Sequence, residues 1–421
     1  MLKPNSSIVF WFVALLAVSL GMLAKAVAQE TTLPVLNTAA VFEQPPYPKI
    51  RVVERVPGWD RFTQGMPECW KRYARFSPTI PRKMETDIYR YPGVSGPTKQ
   101  NVSVPPFPTD CGGGRCIAAH NVVLGIDDTA EGFPQYKVWY RISTDGGETW
   151  GDMKPLVQKG PEYSPQHPNK FVWVGKNGFV YALTASMFAC LSNGEVFMPF
   201  YYSPLDAEGK YYNPLKASTF SQLACAVGTW NKARTDLTWD VFSDISLGAE
   251  FVSRGLSEAA VMELKRRGHI LMVLRGSNHV FTGKQRGGNW KVLSTDYGRT
   301  WSKVTPFTFS NGEDFYAPAQ KSGLLRSTKT GKVYWIGHMS RTRPKGNVPR
   351  RPMVIAELDE KKLGLRRETV TIIDDRKPEE SDEFRTDFAG FVEDVNTGHI
   401  LVSLVRRQAE PARLTAVIEV K

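Results

Sequence analysis

Ser143-Thr144-Asp145-Gly146-Gly147-Glu148-Thr149-Trp150 and Ser294-Thr295-Asp296-Tyr297-Gly298-Arg299-Thr300-Trp301 are two copies of one phrase, S-x-D-x-G-x-T-W. Each follows an alternating apolar run, Val138-Trp139-Tyr140-Arg141-Ile142 in the first case and Trp290-Lys291-Val292-Leu293 in the second. Asp and Gly suit a tight turn, and the Asp carboxylate can accept backbone and hydroxyl hydrogen bonds within it. The Trp that closes the phrase supplies an apolar plug beneath the turn. One copy would predict a hairpin and little else. Two copies in one chain predict a repeated β unit.

The rest of the chain agrees with that unit. An apolar run, a Gly-containing turn and a second apolar run recur, as in Phe171-Val172-Trp173-Val174 with Gly178 to Leu183, and Ala260 to Leu264 with Gly268 to Arg275. Further cases are Ser322 to Leu325 with Gly331 to Ile336, and Gly390 to Val392 with Gly398 to Leu404. Each reads as two short strands joined where Gly makes positive φ cheap. Asp145 and Asp296 are spaced to fit two or three units of four strands, and Thr235-Asp236-Leu237-Thr238-Trp239 between them reads as a decayed copy. Four-stranded sheets repeated radially make a β-propeller, whereas a β-sandwich has no need of the repeated phrase. No convincing helical period longer than two turns is present. Phosphate loops, the H-E-x-x-H zinc pattern and the G-x-S-x-G elbow are all absent.

The N-terminus stands apart. Lys3 precedes an uncharged apolar run from Ile8 to Ala24, and Ala26-Val27-Ala28 forms a small-x-small site. This predicts a secretory signal over residues 1–28 and a periplasmic or extracellular protein with no membrane segment after cleavage. Residues 29–85 are Pro-rich and read as an extension packed along the outside, where it can contribute a strand; residues 86–421 read as the repeated body. Eleven Trp, 22 Phe and 15 Tyr supply bulk for a β-rich core. Five Cys are too few for a disulfide scaffold. Cys111 and Cys116 bracket a short glycine loop and are placed to close it, while Cys190 and Cys225 lie in apolar runs as core. No paired C-x-x-C supports a zinc site, and no metal or cofactor is expected. The net charge of +12 on an exported chain favours acidic glycans over nucleic acid, and the chain is expected to act as a monomer.

The S-x-D-x-G-x-T-W hairpin resembles the Asp box of the sialidase (neuraminidase) superfamily. That resemblance implies an all-β fold, a six-bladed β-propeller of four-stranded antiparallel blades. Asp boxes in that family are structural, so Asp145 and Asp296 are not candidates for catalysis. The family uses three arginines to clamp a substrate carboxylate, an Asp acid/base and a Tyr nucleophile helped by a Glu. Guanidinium groups suit the task because they carry permanent charge in bidentate geometry. A neutral attacking group avoids repulsion by the anion, an exception to the usual two-carboxylate scheme.

By this resemblance Tyr89-Arg90-Tyr91-Pro92-Gly93 implies Arg90 as the first clamp residue. Ser257-Glu258-Ala259-Ala260, followed by Leu274-Arg275-Gly276-Ser277, implies Glu258 as the helper and Arg275 as the second clamp. Pro349-Arg350-Arg351-Pro352-Met353 implies the third; Arg351, which directly precedes the apolar run, is preferred to Arg350. The acid/base is Asp127 or Asp128, after the run ending at Ile126. One position departs from the family. Thr386-Asp387-Phe388 stands where the nucleophilic Tyr belongs, and Phe388 cannot attack an anomeric carbon. Tyr316 and Asp387 remain as candidate attacking groups. His120, His279 and His338 fall near predicted strand ends and would support a different chemistry, a polysaccharide lyase or another glycosidase. The expectation is an exo-sialidase-like hydrolase acting on terminal acidic sugars, with a non-catalytic glycan-binding propeller as the further alternative.

Overall fold

The computed structural model describes residues 36–76, 83–84, 100–102, 108–124, 136–180, 189–217, 219–281, 283–408 and 410–421. The predicted signal segment lies outside them. Among the described residues five antiparallel sheets follow one another along the chain. The third is the simplest: Leu256–Glu263, Ile270–Gly276, Trp290–Ser294 and Thr305–Pro306 lie side by side in chain order. The fourth runs from Gly323–Arg326 through Val333–His338 to Met353–Asp359, whose outer side takes both Gly364–Leu365 and Thr371–Asp374. The stretch between the first and second sheets, where another blade would be sought, runs as turns and isolated bridges.

Alternation explains how the sheets stack. Successive side chains of a strand point to opposite faces. Leu271 and Val273 of Ile270–Gly276 enter a core shared with Leu324, Trp335 and Val354 of the fourth sheet. Ile270, Met272 and Leu274 enter the core shared with Phe197 and Val227 of the second. Tyr334 and Ile336 likewise meet Phe391 and Val402 of the fifth. The leading strands of the third, fourth and fifth sheets touch one another in turn. Sheets packed face to face around their leading strands form a β-propeller.

The last sheet is completed from the other end of the chain. Ile50–Pro57 pairs with Ala412–Val420 and forms its outermost strand. Two helices then fill the seam to the first sheet. Phe62 and Met66 pack on Val392, Leu401 and Val417 of the fifth sheet. In Glu68–Phe76, Tyr73 contacts His120 of the first sheet at 2.8 Å and meets the Trp150 ring edge-on. The extension thus supplies the strand it was thought able to contribute, and a helical wedge besides.

Both octapeptides fold as the turn their residues dictate. Ser143 Oγ donates to Asp145 Oδ1 at 2.7 Å, and Asp145 also accepts from the Thr149 amide and hydroxyl. The Trp150 indole donates to the Gly147 carbonyl at 3.1 Å. Asp296, Thr300 and Trp301 repeat the pattern. Gly298, at φ +86°, cannot be replaced: a Cβ there would lie 2.4 Å from the Phe197 ring. Thr235 to Trp239 is not a third copy. Trp239 belongs to the strand Leu237–Ile245 and packs against Tyr140.

The cysteine expectation is corrected. Cys111 bonds Cys190 and Cys116 bonds Cys69, leaving Cys225 buried and free. Strand pairing sets Cys116 opposite Ser143, where the wedge helix reaches it, and brings Cys111 to the second sheet. The bridges tie the first sheet to its two neighbours in space, not to itself.

Candidate functional site

In an antiparallel blade the start of the first strand and the end of the second share one rim. Glu258 lies near the start of Leu256–Glu263, and Arg275 lies near the end of Ile270–Gly276. The register shifts between Ser257 and Ala260, and Glu258 adopts φ +40°, the left-handed region that disfavours a residue with a Cβ. Such strain persists only where the surroundings fix it. Here Glu258 Oε2 forms an ion pair with Arg275 Nη1, both side chains mostly buried.

The same rim of the fourth and fifth sheets completes the site. Lys321 precedes Gly323–Arg326, and Arg350 precedes Met353–Asp359. Asp387 is near the start of Arg385–Glu393, and Arg407 ends the neighbouring strand Ile400–Arg407. Asp387 accepts from Arg350 on one oxygen and from Arg407 at 2.6 Å on the other. Burial alone would raise the Glu258 carboxyl, yet Arg275, Lys321 and Arg350 hold it below the usual range. Burial likewise opposes ionisation of Asp387, and Arg407 and Arg350 outweigh it. Lys321 is lowered by burial first, and by Arg275 and Arg350. Four cations thus surround two carboxylates. The excess positive charge, taken partly out of water, is suited to an anion.

Val196–Tyr202 of the second sheet packs beside Leu256–Glu263, and Tyr201 near its end lies within reach of the Glu258 and Arg275 charges. Burial, and next the Glu258 charge, push its phenol up, so it is neutral at ordinary pH. Sequence reasoning missed Tyr201, Lys321 and Arg407. For Arg407 a signal existed: Gly268-His269-Ile270-Leu271 and Gly398-His399-Ile400-Leu401 open equivalent strands, and an arginine lies at or near the far end of each. Lys321 and Tyr201 carry no comparable mark, since only the packing of three sheets brings them to Glu258.

The other expected residues are placed as follows. Arg90, Asp127 and Asp128 lie outside the described residues. Arg351 turns away from the cluster and pairs with Asp382 at 3.2 Å, while its neighbour Arg350 faces Asp387. The sequence favoured Arg351, yet Arg350 is the one that pairs with Asp387 on the rim, while Arg351 pairs with Asp382. Tyr316 is buried, and its hydroxyl accepts from the Leu36 amide at 3.1 Å, so it anchors the N-terminal stretch. His120 and His338 are both buried, and burial lowers each to about 3. His338 contacts Thr386 Oγ1 at 2.7 Å and touches the cluster only through the charges of Arg350 and Asp387. His279 is exposed beside Gly346. Among the described residues no group of three or more His, Cys, Asp or Glu is placed to hold a metal ion.

No protein-family model matches the chain, and no curated protein matches it. Solved structures similar to it include a NanB structure, at 15% identity and a TM-score of 0.42, covering 68% of this chain and 36% of that one. The NanB sialidase from Streptococcus pneumoniae aligns at 12% identity and a TM-score of 0.38, over 82% of this chain and 72% of that one. A sialidase from Trypanosoma rangeli aligns at 10% identity and a TM-score of 0.33, over 80% and 60%. The chain spans less than two thirds of the length of the first and the third.

Proposed function

We propose that the chain is an exported, sialidase-like glycoside hydrolase that acts on terminal acidic sugars of glycans, in the periplasm or outside the cell. One observation carries the reading: Arg275, Lys321 and Arg350 converge with Glu258 and Asp387 on one rim of the propeller. Arg275 and Arg350 take the sugar carboxylate, with Lys321 adding charge. Tyr201 is the attacking group in place of the missing Tyr at Phe388, and Glu258 accepts its proton. At rest Glu258 is a weak base because Arg275 holds it. A substrate carboxylate competes for Arg275, so binding itself makes Glu258 more basic. The phenol oxygen then bonds the anomeric carbon, the glycosidic bond breaks, and the leaving oxygen takes a proton from Asp127 or Asp128. Water, deprotonated by the same Asp, releases the sugar and returns Tyr201.

A second reading, glycan binding without turnover, draws support from Asp387. Held by two arginines, it is a poor nucleophile, and Phe388 beside it cannot attack. The lyase reading is weakened, since His120 and His338 are buried and engaged and His279 alone of its three histidines is exposed. Hydrolysis of a fluorogenic sialoside separates the remaining two. The hydrolase reading expects turnover by the wild type, lost by about a thousandfold or more in Tyr201→Phe with sialic acid binding retained. Binding with no turnover by the wild type selects the second reading. Full turnover by Tyr201→Phe removes Tyr201 from the mechanism.

A further inference from the structure

Arg351, excluded from the central cluster, is not on an open surface. It lines a separate cavity of about 480 Å³ together with Arg341, Arg376, Asp375, Pro349 and Pro378. Three guanidinium groups face one small space. Each is oriented by a contact, that of Arg351 being the Asp382 carbonyl, to which Nη2 donates at 3.2 Å. Arg341 lies over the Phe42 ring at 4.8 Å and pairs with Asp375 at 2.8 Å. Arg376 Nη1 donates to the Glu380 carbonyl at 2.7 Å, and the Arg351 side chain is only 18% exposed. Oriented guanidinium forks are what recognition of a planar or tetrahedral oxyanion requires.

The second carboxylate here is of a different kind. Asp382 spans Arg351 and Arg376 at 3.2 and 3.6 Å, yet its side chain is 88% exposed. An exposed pair at such distances contributes little stability and is readily exchanged. Asp382 therefore occupies, from the solvent side, the position an incoming anion would take. Without it, the described residues that line the cavity set three guanidinium groups against the Asp375 carboxylate.

We propose that this cavity is a second anion site that takes an oxyanion carried on a sugar, a sulfate ester or a carboxylate, and that Asp382 is its tethered competitor. The volume admits one sugar ring, and Pro349 and Pro378 supply apolar walls for the ring's C–H face. The site stands back to back with the central cluster, because Arg350 and Arg351 are consecutive and point apart. It does not depend on hydrolysis, and its readout is binding.

Calorimetric titration of the folded chain with N-acetylglucosamine 6-sulfate, glucuronic acid and inorganic sulfate tests it. The sulfated or the carboxylated sugar binds the wild type, and whichever binds identifies the group recognised. Asp382→Asn tightens that binding about threefold to fivefold by removing the competitor. Arg351→Ala weakens it at least about tenfold. Inorganic sulfate binding as tightly as either sugar would overturn the assignment to a sugar-borne group. Absence of binding, or unchanged affinity in both Asp382→Asn and Arg351→Ala, would overturn the site itself.

Discussion

Asp145 and Glu258 are both carboxylates held below the ordinary range, and they are held there by opposite means. Asp145 is exposed, and the Thr149 hydroxyl and amide with the Ser143 hydroxyl do the work, all within one turn. Glu258 is buried, burial resists its ionisation, and cations from three strand ends overcome that resistance. The first arrangement is local, cheap and repeated at Asp296. The second is strained at φ +40° and depends on the stacking of neighbouring sheets. Local satisfaction builds fold; charge assembled across sheets builds a site.

The largest test of this contrast removes a partner from the assembled side. Arg275→Ala leaves Glu258 buried without its ion pair, and unfolding in denaturant should show a loss of about 3 kcal/mol along with loss of sialoside hydrolysis. A loss below about 1 kcal/mol would mean that Lys321 and Arg350 suffice to hold Glu258 and that the pair is not the keystone.

A smaller effect sharpens the comparison through pH. The folded value of Glu258 lies below its unfolded value of about 4.3, so its stabilisation is complete above that pH and is lost as pH falls through the folded value. Glu258→Gln should therefore lower Tm at pH 7 more than at pH 3. Equal losses at the two pH values would show that Glu258 contributes by packing and not by charge.

The smallest effect belongs to the local side. Asp296→Ala removes the hydrogen bonds of one exposed turn, and the expected fall in Tm is about 2–4 °C with hydrolysis unchanged. Loss of activity on that substitution would link the two ends of the blade in a way their separation does not explain.

The same contrast explains what could be read in the chain. The octapeptide turns were legible because every donor and acceptor lies within eight residues, and the hairpins because strand alternation is local. That Glu258 and Arg275 share a rim was legible because one opens a strand and the other closes the next strand of the same hairpin. Arg350 against Arg351 was not, since the choice turns on how the segment before Met353–Asp359 meets Asp387 of the next sheet. Tyr201 and Lys321 reach Glu258 only through packing between sheets. Nor could spacing pair the cysteines: Cys69 and Cys190 come to Cys116 and Cys111 across sequence separations of 47 and 79.

Arg350 belongs to the proposed anion-binding rim, and Arg351 lies outside it. The most direct measurement is kcat/KM for a fluorogenic sialoside in Arg350→Ala and Arg351→Ala. The account predicts a loss of about a hundredfold or more in the first and less than about threefold in the second. Wild-type turnover in Arg350→Ala, or the greater loss in Arg351→Ala, would contradict it.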